Sequence, residues 1–336
     1  MVGSPFLLAQ IAHSEQTIRT EIEFHGVGLH SGAEALMRLI PAPAGSGIVF
    51  RRTDLDGFEI PANARNVAKV SYATSLMRGS VLISTTEHLL SALIGFGVDN
   101  VIVEVDNLEL PILDGSALPY VEAFQLVGLK PQRRRREVLR ILKDVEVREG
   151  DKFIGVYPGS GYTIDYRIDF PQPIGSERFQ GDLEAGDYAH QIAPARTFGF
   201  REDEPMLRNM GLIRGASDAC VIVLSKAILS KTVLSKTVLS DTGNKTGILN
   251  GPLRFPDEFV RHKVLDLIGD LALAGRRIQG RVVAERAGHA MHAALVQRLL
   301  RDRSAWELAH VCDEVPEADD EPVAVPVPAE ALVAHA

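Results

Sequence analysis

Two short polar segments, about 170 residues apart, constrain what this chain can fold into more than anything else in it: Thr85-Thr86-Glu87-His88-Leu89 and the run from Arg261 to Asp270. In the second, His262 and Asp266 stand four apart within an apolar-periodic run, so on a helix both project from one face a turn apart. Two such donors form a bidentate metal platform. A distant third histidine would complete a three-ligand set and leave one tetrahedral position open, which separates catalytic from structural zinc. His88 offers that third donor and Glu87, beside it, a base. The fold must therefore carry residue 88 to residue 262.

The simpler alternative is chance, since ten histidines in 336 residues can produce a His-x-x-x-Asp pair on a solvated helix face or at a cap. Three features weigh against it. Asp270 extends the stripe by a turn, Lys263 flanks the histidine, and both segments lie among apolar residues, where polar groups need partners that a metal would supply.

A length of 336 residues suits two domains of ordinary size, and 46% hydrophobic with 24% charged residues is the balance of a soluble globular protein. A formal net charge of -8 argues against a general nucleic-acid binder. With Cys220 and Cys312 as the sole cysteines, a disulfide framework is not expected, and any zinc falls to histidine and carboxylate. Pro5-Phe6-Leu7-Leu8 carries no positively charged leader, and no run approaches the roughly 18 unbroken apolar residues of a membrane span. The expectation is a cytoplasmic protein with at most peripheral membrane contact.

Along the chain, strands are expected from Thr17 to Phe24 and Ala35 to Ile40, around the turn Gly26-Val27-Gly28-Leu29-His30-Ser31-Gly32. A helix opens near Thr86, capped by its hydroxyl, and ends at Gly95-Phe96-Gly97; a strand over Val98 to Val105 and a helix from Pro119 follow. The run Arg133 to Arg136 reads as a solvated linker. Beyond it come strands at Val138–Leu142, Phe153–Val156 and Tyr162–Phe170, the His262 helix, a strand at Ile278–Glu285 and a helix from His289 to Leu300. The recurrence predicts a duplicated α+β architecture of two similar units, residues 1–132 and 133–312. Residues 313–336 form an acidic, Pro- and Ala-rich tail, and residues 224–240 repeat a five-residue unit of neither helical nor strand period. The glycine turn lacks dinucleotide-binding spacing, and His25 and His30 read as structural histidines. His289 stands where a strand gives way to a helix, placed to serve as a second proton-transfer group.

Several stretches together resemble one family, the UDP-3-O-acyl-N-acetylglucosamine deacetylases of lipid A biosynthesis: residues 24–32, Ile83 to Leu89, Leu113 to Ala117, Ala195 to Phe200, Phe259 to Asp270, and Gly288-His289. They run colinearly from about residue 15 to 310. The resemblance implies a cytoplasmic, monomeric zinc amidohydrolase of Gram-negative lipopolysaccharide synthesis, with one Zn2+ held by His88, His262 and Asp266. It puts the general base at Glu87, a second catalytic histidine at His289 oriented by Asp270, and a carbonyl-polarising threonine at Thr197. Lys263, Asp169, Phe170, Phe198 and Arg286 fall at substrate-binding positions, Arg286 replacing a lysine of some relatives. It also implies two β/α domains with helices packed between the sheets and the active site at their interface, and an acyl-chain passage in the second domain, where Arg201, Glu204 and Asp218 depart from an apolar pattern. A zinc deacetylase for another nucleotide sugar, or a catalytically silent binding protein keeping the fold, are the competing readings. The intact set of Glu87, His88, His262, Asp266 and His289 weighs against the silent one.

Overall fold

The computed structural model describes residues 13–68, 70–183, 187–226 and 247–311. Most of the five-residue repeat and the whole acidic tail lie outside them. The first sheet has five strands in the order Ile22–Val27, Glu34–Pro41, Val101–Val105, Ile48–Arg52 and Phe58–Pro61. Only the pairing of Ile48–Arg52 with Val101–Val105 is parallel. In Glu34–Pro41 the residues Ala35, Met37 and Leu39 are buried at every second position, the period-2 signature that makes one face of a sheet apolar.

The second sheet is built around Arg277–Glu285, which is buried along most of its length. It pairs with Lys152–Tyr157 antiparallel, and with Glu137–Ile141 and Tyr162–Phe170 in parallel. Tyr162–Phe170 alternates buried Tyr162, Ile164, Tyr166 and Ile168 with polar residues and continues antiparallel into Gly175–Asp182. The architecture is thus α+β with two mixed sheets. Helices Glu87–Phe96 and Glu258–Leu271 pack on each other, and a single buried core joins them to Phe50 and Val103 of the first sheet and to Ile164 and Val282 of the second. Each such apolar side chain contributes about 1.5–3 kcal/mol when fully buried.

Several sequence expectations need correction. The segment from Thr17 to Phe24 is two strands, Ser14–Ile18 and Ile22–Val27. The arginine run is no linker: Leu129–Arg135 is a strand paired antiparallel with Ser14–Ile18. Arg136 is buried, with its guanidinium on Asp99 and the Gly97 carbonyl. Exposed arginines on a short edge ladder look locally like a solvated connection, which explains the error. The Thr86 hydroxyl does not cap its helix. It donates to the Thr74 carbonyl at 3.1 Å and so ties the helix entry to a neighbouring loop.

Gly269 is what lets the two central helices meet. A Cβ there would stand 2.0 Å from the Glu87 carbonyl oxygen, so any side chain must drive the helices apart. Gly269→Ala is expected to cost about 1–3 kcal/mol, the usual range for overpacking. It should also lower metal content, because the shift separates residue 88 from residue 262. Urea unfolding and metal analysis on one preparation check this, and a variant of unchanged midpoint and metal content would contradict it.

Candidate metal centre

His262, Asp266 and Asp270 form one stripe of the Glu258–Leu271 helix, and all three are buried. The Glu87–Phe96 helix crosses this stripe with its first turn, so Glu87 and His88 enter the same pocket of the core. Just before it, Thr85 adopts φ 59°, a left-handed conformation uncommon for a β-branched residue. Its hydroxyl is held there by Glu109 at 2.8 Å. The backbone is thus strained at the point where the chain turns to present Glu87 and His88.

The donor atoms of His88, His262 and Asp266 all lie within 4.8 Å of one another. Asp266 Oδ1 is 3.7 Å from His88 Nε2 and 3.5 Å from His262 Nε2. Ligands about 2.1 Å from a tetrahedral centre stand about 3.4 Å apart, so both distances from Asp266 Oδ1 are close to what a tetrahedral metal ion requires. The protonation states fit as well. His262 Nδ1 donates to the Ala195 carbonyl at 3.1 Å, which leaves Nε2 with its lone pair toward Asp266. Burial, reinforced by the neighbouring His262, lowers His88 to about 3, and burial lowers His262 too, so both rings are neutral and able to ligate. Asp266 is ionised despite burial, because the positive charges of Lys263 and His289 pull its pKa down. Lys263 Nζ takes Asp266 Oδ2 at 2.6 Å, which directs Oδ1 to the imidazoles.

Glu87 and His289 flank this set. Burial raises Glu87 to about 8, partly offset by the positive charge of His289, and the Thr74 N–H donates to its carboxylate at 3.0 Å. His289 opens the His289–Arg301 helix, with Nδ1 2.7 Å from Asp270 Oδ2 and Nε2 3.9 Å from Asp266 Oδ2. Burial disfavours its charge, but Asp270 and Asp266 outweigh that and raise it to about 9. Asp270 in turn lies at about 2, because the histidines around it overcome its burial. A carboxyl pushed up and an imidazole held charged at one pocket are poised for proton transfer. A second cluster, Asp270, His289 and His292, is a hydrogen-bond network: both imidazoles point Nδ1 at the same Asp270 oxygen, at 2.7 and 2.8 Å.

The remaining predicted residues fall into two groups around the cluster. Thr197 follows Ala195 and Arg196, and Arg196 is pinned by fully buried Glu258 through its guanidinium at 2.9 Å and its N–H at 3.0 Å. Thr197 and Phe198 line a cavity of about 270 Å³ with Leu29, Phe200, Leu207, Val221 and Val223. Arg201, Glu204 and Asp218 line it too, so the polar departures from the apolar pattern do sit on its wall. Phe198 stacks edge-on with Phe170 at 5.5 Å and lies 6.1 Å from the His262 ring. Next to Phe170, Asp169 pairs with Arg286 at 2.6 Å, and Arg286 also pairs with Asp151. Sequence reasoning missed Thr74, Tyr166, His292 and the Ala195 carbonyl. Of these only His292, three residues after His289 on a helix, left a readable spacing.

The family profile described as UDP-3-O-acyl N-acetylglycosamine deacetylase matches residues 15–301. The chain is 49% identical over 295 residues to a UDP-3-O-acyl-N-acetylglucosamine deacetylase of Solibacter usitatus, covering 88% of this chain and 94% of that one. A Myxococcus xanthus protein of the same name is 42% identical over 300 residues, at 88% and 90% coverage. One from Cellvibrio japonicus is 38% identical over 306 residues, at 90% and 95%.

Proposed function

Because the chain belongs to the UDP-3-O-acyl-N-acetylglucosamine deacetylase family, we propose that the buried cluster at the crossing of its two central helices is where it removes the N-acetyl group of that acylated UDP-sugar. The activity is amide hydrolysis with release of acetate, in lipid A biosynthesis. The observation that carries the assignment of the site is the fit of two neutral imidazoles and one ionised carboxylate, with Glu87 and His289 on either side.

His88, His262 and Asp266 would hold one zinc ion. Zinc bound there supplies Lewis acidity, which activates water near neutral pH and polarises a carbonyl. Glu87 takes the proton of the attacking water, Thr197 donates to the developing oxyanion, and charged His289 adds positive potential beside it. His289 or Glu87 then gives a proton to the departing amine. Asp270 keeps the His289 ring oriented and its charge favourable. Lys263 serves substrate binding beside Asp266.

Asp169, Phe170 and Arg286 would receive the uridine diphosphate, with Arg286 exchanging its carboxylate partners for phosphate oxygens. The cavity beyond Thr197 and Phe198 would take the acyl chain. We also propose a duplicated two-domain chain with one mixed sheet in each half; the strand Leu129–Arg135, paired with Ser14–Ile18, runs across position 132/133, so the division falls after Arg135. Among the described residues no helix is long and apolar enough to cross a membrane, and a cytoplasmic monomer with at most peripheral membrane contact is the form we assign.

The test is acetate release from the acylated UDP-sugar and from UDP-N-acetylglucosamine, side by side. Preference for the acylated substrate is expected, and equal turnover of the two would contradict the reading. The pH profile should be a bell. Glu87 acts ionised, so the rate rises as pH climbs through its pKa, and His289 acts protonated, so the rate falls through its own. A dication held by the neighbouring ligands would lower both. The limbs belong to the coupled set. His289→Ala should depress turnover and alter the basic limb, and an unaltered profile in that variant would contradict the role.

A further inference from the structure

His292 is fully buried, one turn along the helix that His289 opens. Its Nδ1 lies 2.8 Å from Asp270 Oδ2, the same oxygen that meets His289 Nδ1 at 2.7 Å. On its other side Nε2 is 3.2 Å from the Tyr166 hydroxyl, and that hydroxyl donates at 2.7 Å to the carbonyl of Ala287, two residues before His289. The Thr74 hydroxyl takes the remaining Asp270 oxygen at 2.5 Å. A closed circuit therefore runs from the loop that launches His289, through Tyr166, His292 and Asp270, back to the His289 ring.

From this circuit we infer that His292, backed by Tyr166, is a positioning residue for the deacetylation: it fixes the Asp270 carboxylate and so the direction in which His289 presents Nε2. The inference rests on the site assignment above and extends it to two residues that belong neither to the proposed ligand set nor to the lining of the cavity. Thr74 holds Oδ1 in either case, but His292 gives Oδ2 a fully buried second partner; without it, the only group among the described residues fixing that oxygen is the His289 ring that the carboxylate is meant to orient. Groups that orient a catalytic histidine or ligand typically change activity by about 10- to 100-fold when removed.

A histidine that only filled core volume would behave differently, and two substitutions separate the cases. Leu at 292 keeps bulk and deletes both nitrogens, while Asn is smaller and keeps an N–H near the place of Nδ1. For positioning, His292→Leu lowers kcat by about 10- to 100-fold with KM and zinc content unchanged. His292→Asn, though the less stable by thermal unfolding, recovers most of the kcat. For a packing role only stability suffers, more in Asn than in Leu, and activity per folded molecule stays full in both. Tyr166→Phe, which deletes one hydroxyl and keeps the ring, gives an independent route if Leu is not tolerated; it should lower kcat at constant KM.

A His292→Leu or Tyr166→Phe enzyme with full kcat, or an Asn variant as impaired as Leu, overturns the inference. Absence of acetate release from the unaltered protein would instead overturn the functional reading, so the two failures are distinguishable.

Discussion

Replacing Glu87 by Gln should leave a folded, metal-loaded protein that has lost about 10²- to 10⁴-fold in turnover, the range a positioned general base supplies. Gln keeps the shape of the side chain and can still accept the Thr74 N–H that Glu87 Oε2 accepts at 3.0 Å. Folding should not suffer, since the substitution removes an ionisable group whose burial already disfavours its charge. What disappears is the proton acceptor. Substrate affinity should persist, because Glu87 lies outside the Asp169, Phe170 and Arg286 group. Rates and KM measured at matched zinc content check this, and a Gln variant of near-normal kcat would remove Glu87 from the mechanism.

The second large effect is expected from His262→Ala. That ring is one of three donors and is oriented by the Ala195 carbonyl, so its loss takes away a ligand and leaves that carbonyl without its donor. Even partners that only orient ligands cost about 10- to 100-fold in metal affinity, so loss of a ligand should exceed that. Asp266→Ala should bind zinc as poorly and be less stable than His262→Ala, because Lys263 loses the carboxylate it grips at 2.6 Å. Competition with a metal-binding dye measures the affinities. Full zinc occupancy in either variant would contradict the ligand assignment.

How much of this was legible beforehand follows from which interactions are local. The His262, Asp266 and Asp270 stripe could be read because four-residue spacing on a helix is a local rule. The same holds for Tyr162–Phe170, whose alternation matches its burial from Tyr162 to Asp169, and for the helix end at Gly97, which adopts φ 93°. Placing His88 with them rested on donor chemistry and on family resemblance, not on periodicity. The Thr86 cap failed because a hydroxyl free to cap its own helix was taken by the Thr74 carbonyl from elsewhere in the fold. Thr74 itself, bonded to Asp270 across 196 residues, carries no mark in its neighbourhood. Gly269 reads locally as a mid-helix weakness, and its purpose emerges only where the Glu87 backbone crosses it. Tertiary contacts of this kind decide the surroundings of the site, and the short-range pattern reaches no further than the His262, Asp266 and Asp270 stripe.

The central claim is that His88, His262 and Asp266 hold a single zinc ion on which deacetylation depends. Stripping the protein with a chelator and titrating zinc back, with bound metal and acetate release from the acylated UDP-sugar followed together, tests it most directly. Activity should vanish on stripping and return in proportion to occupancy, reaching its maximum at one zinc per chain. Acetate release at an undiminished rate from the stripped protein, or zinc uptake that restores none of it, would contradict the account.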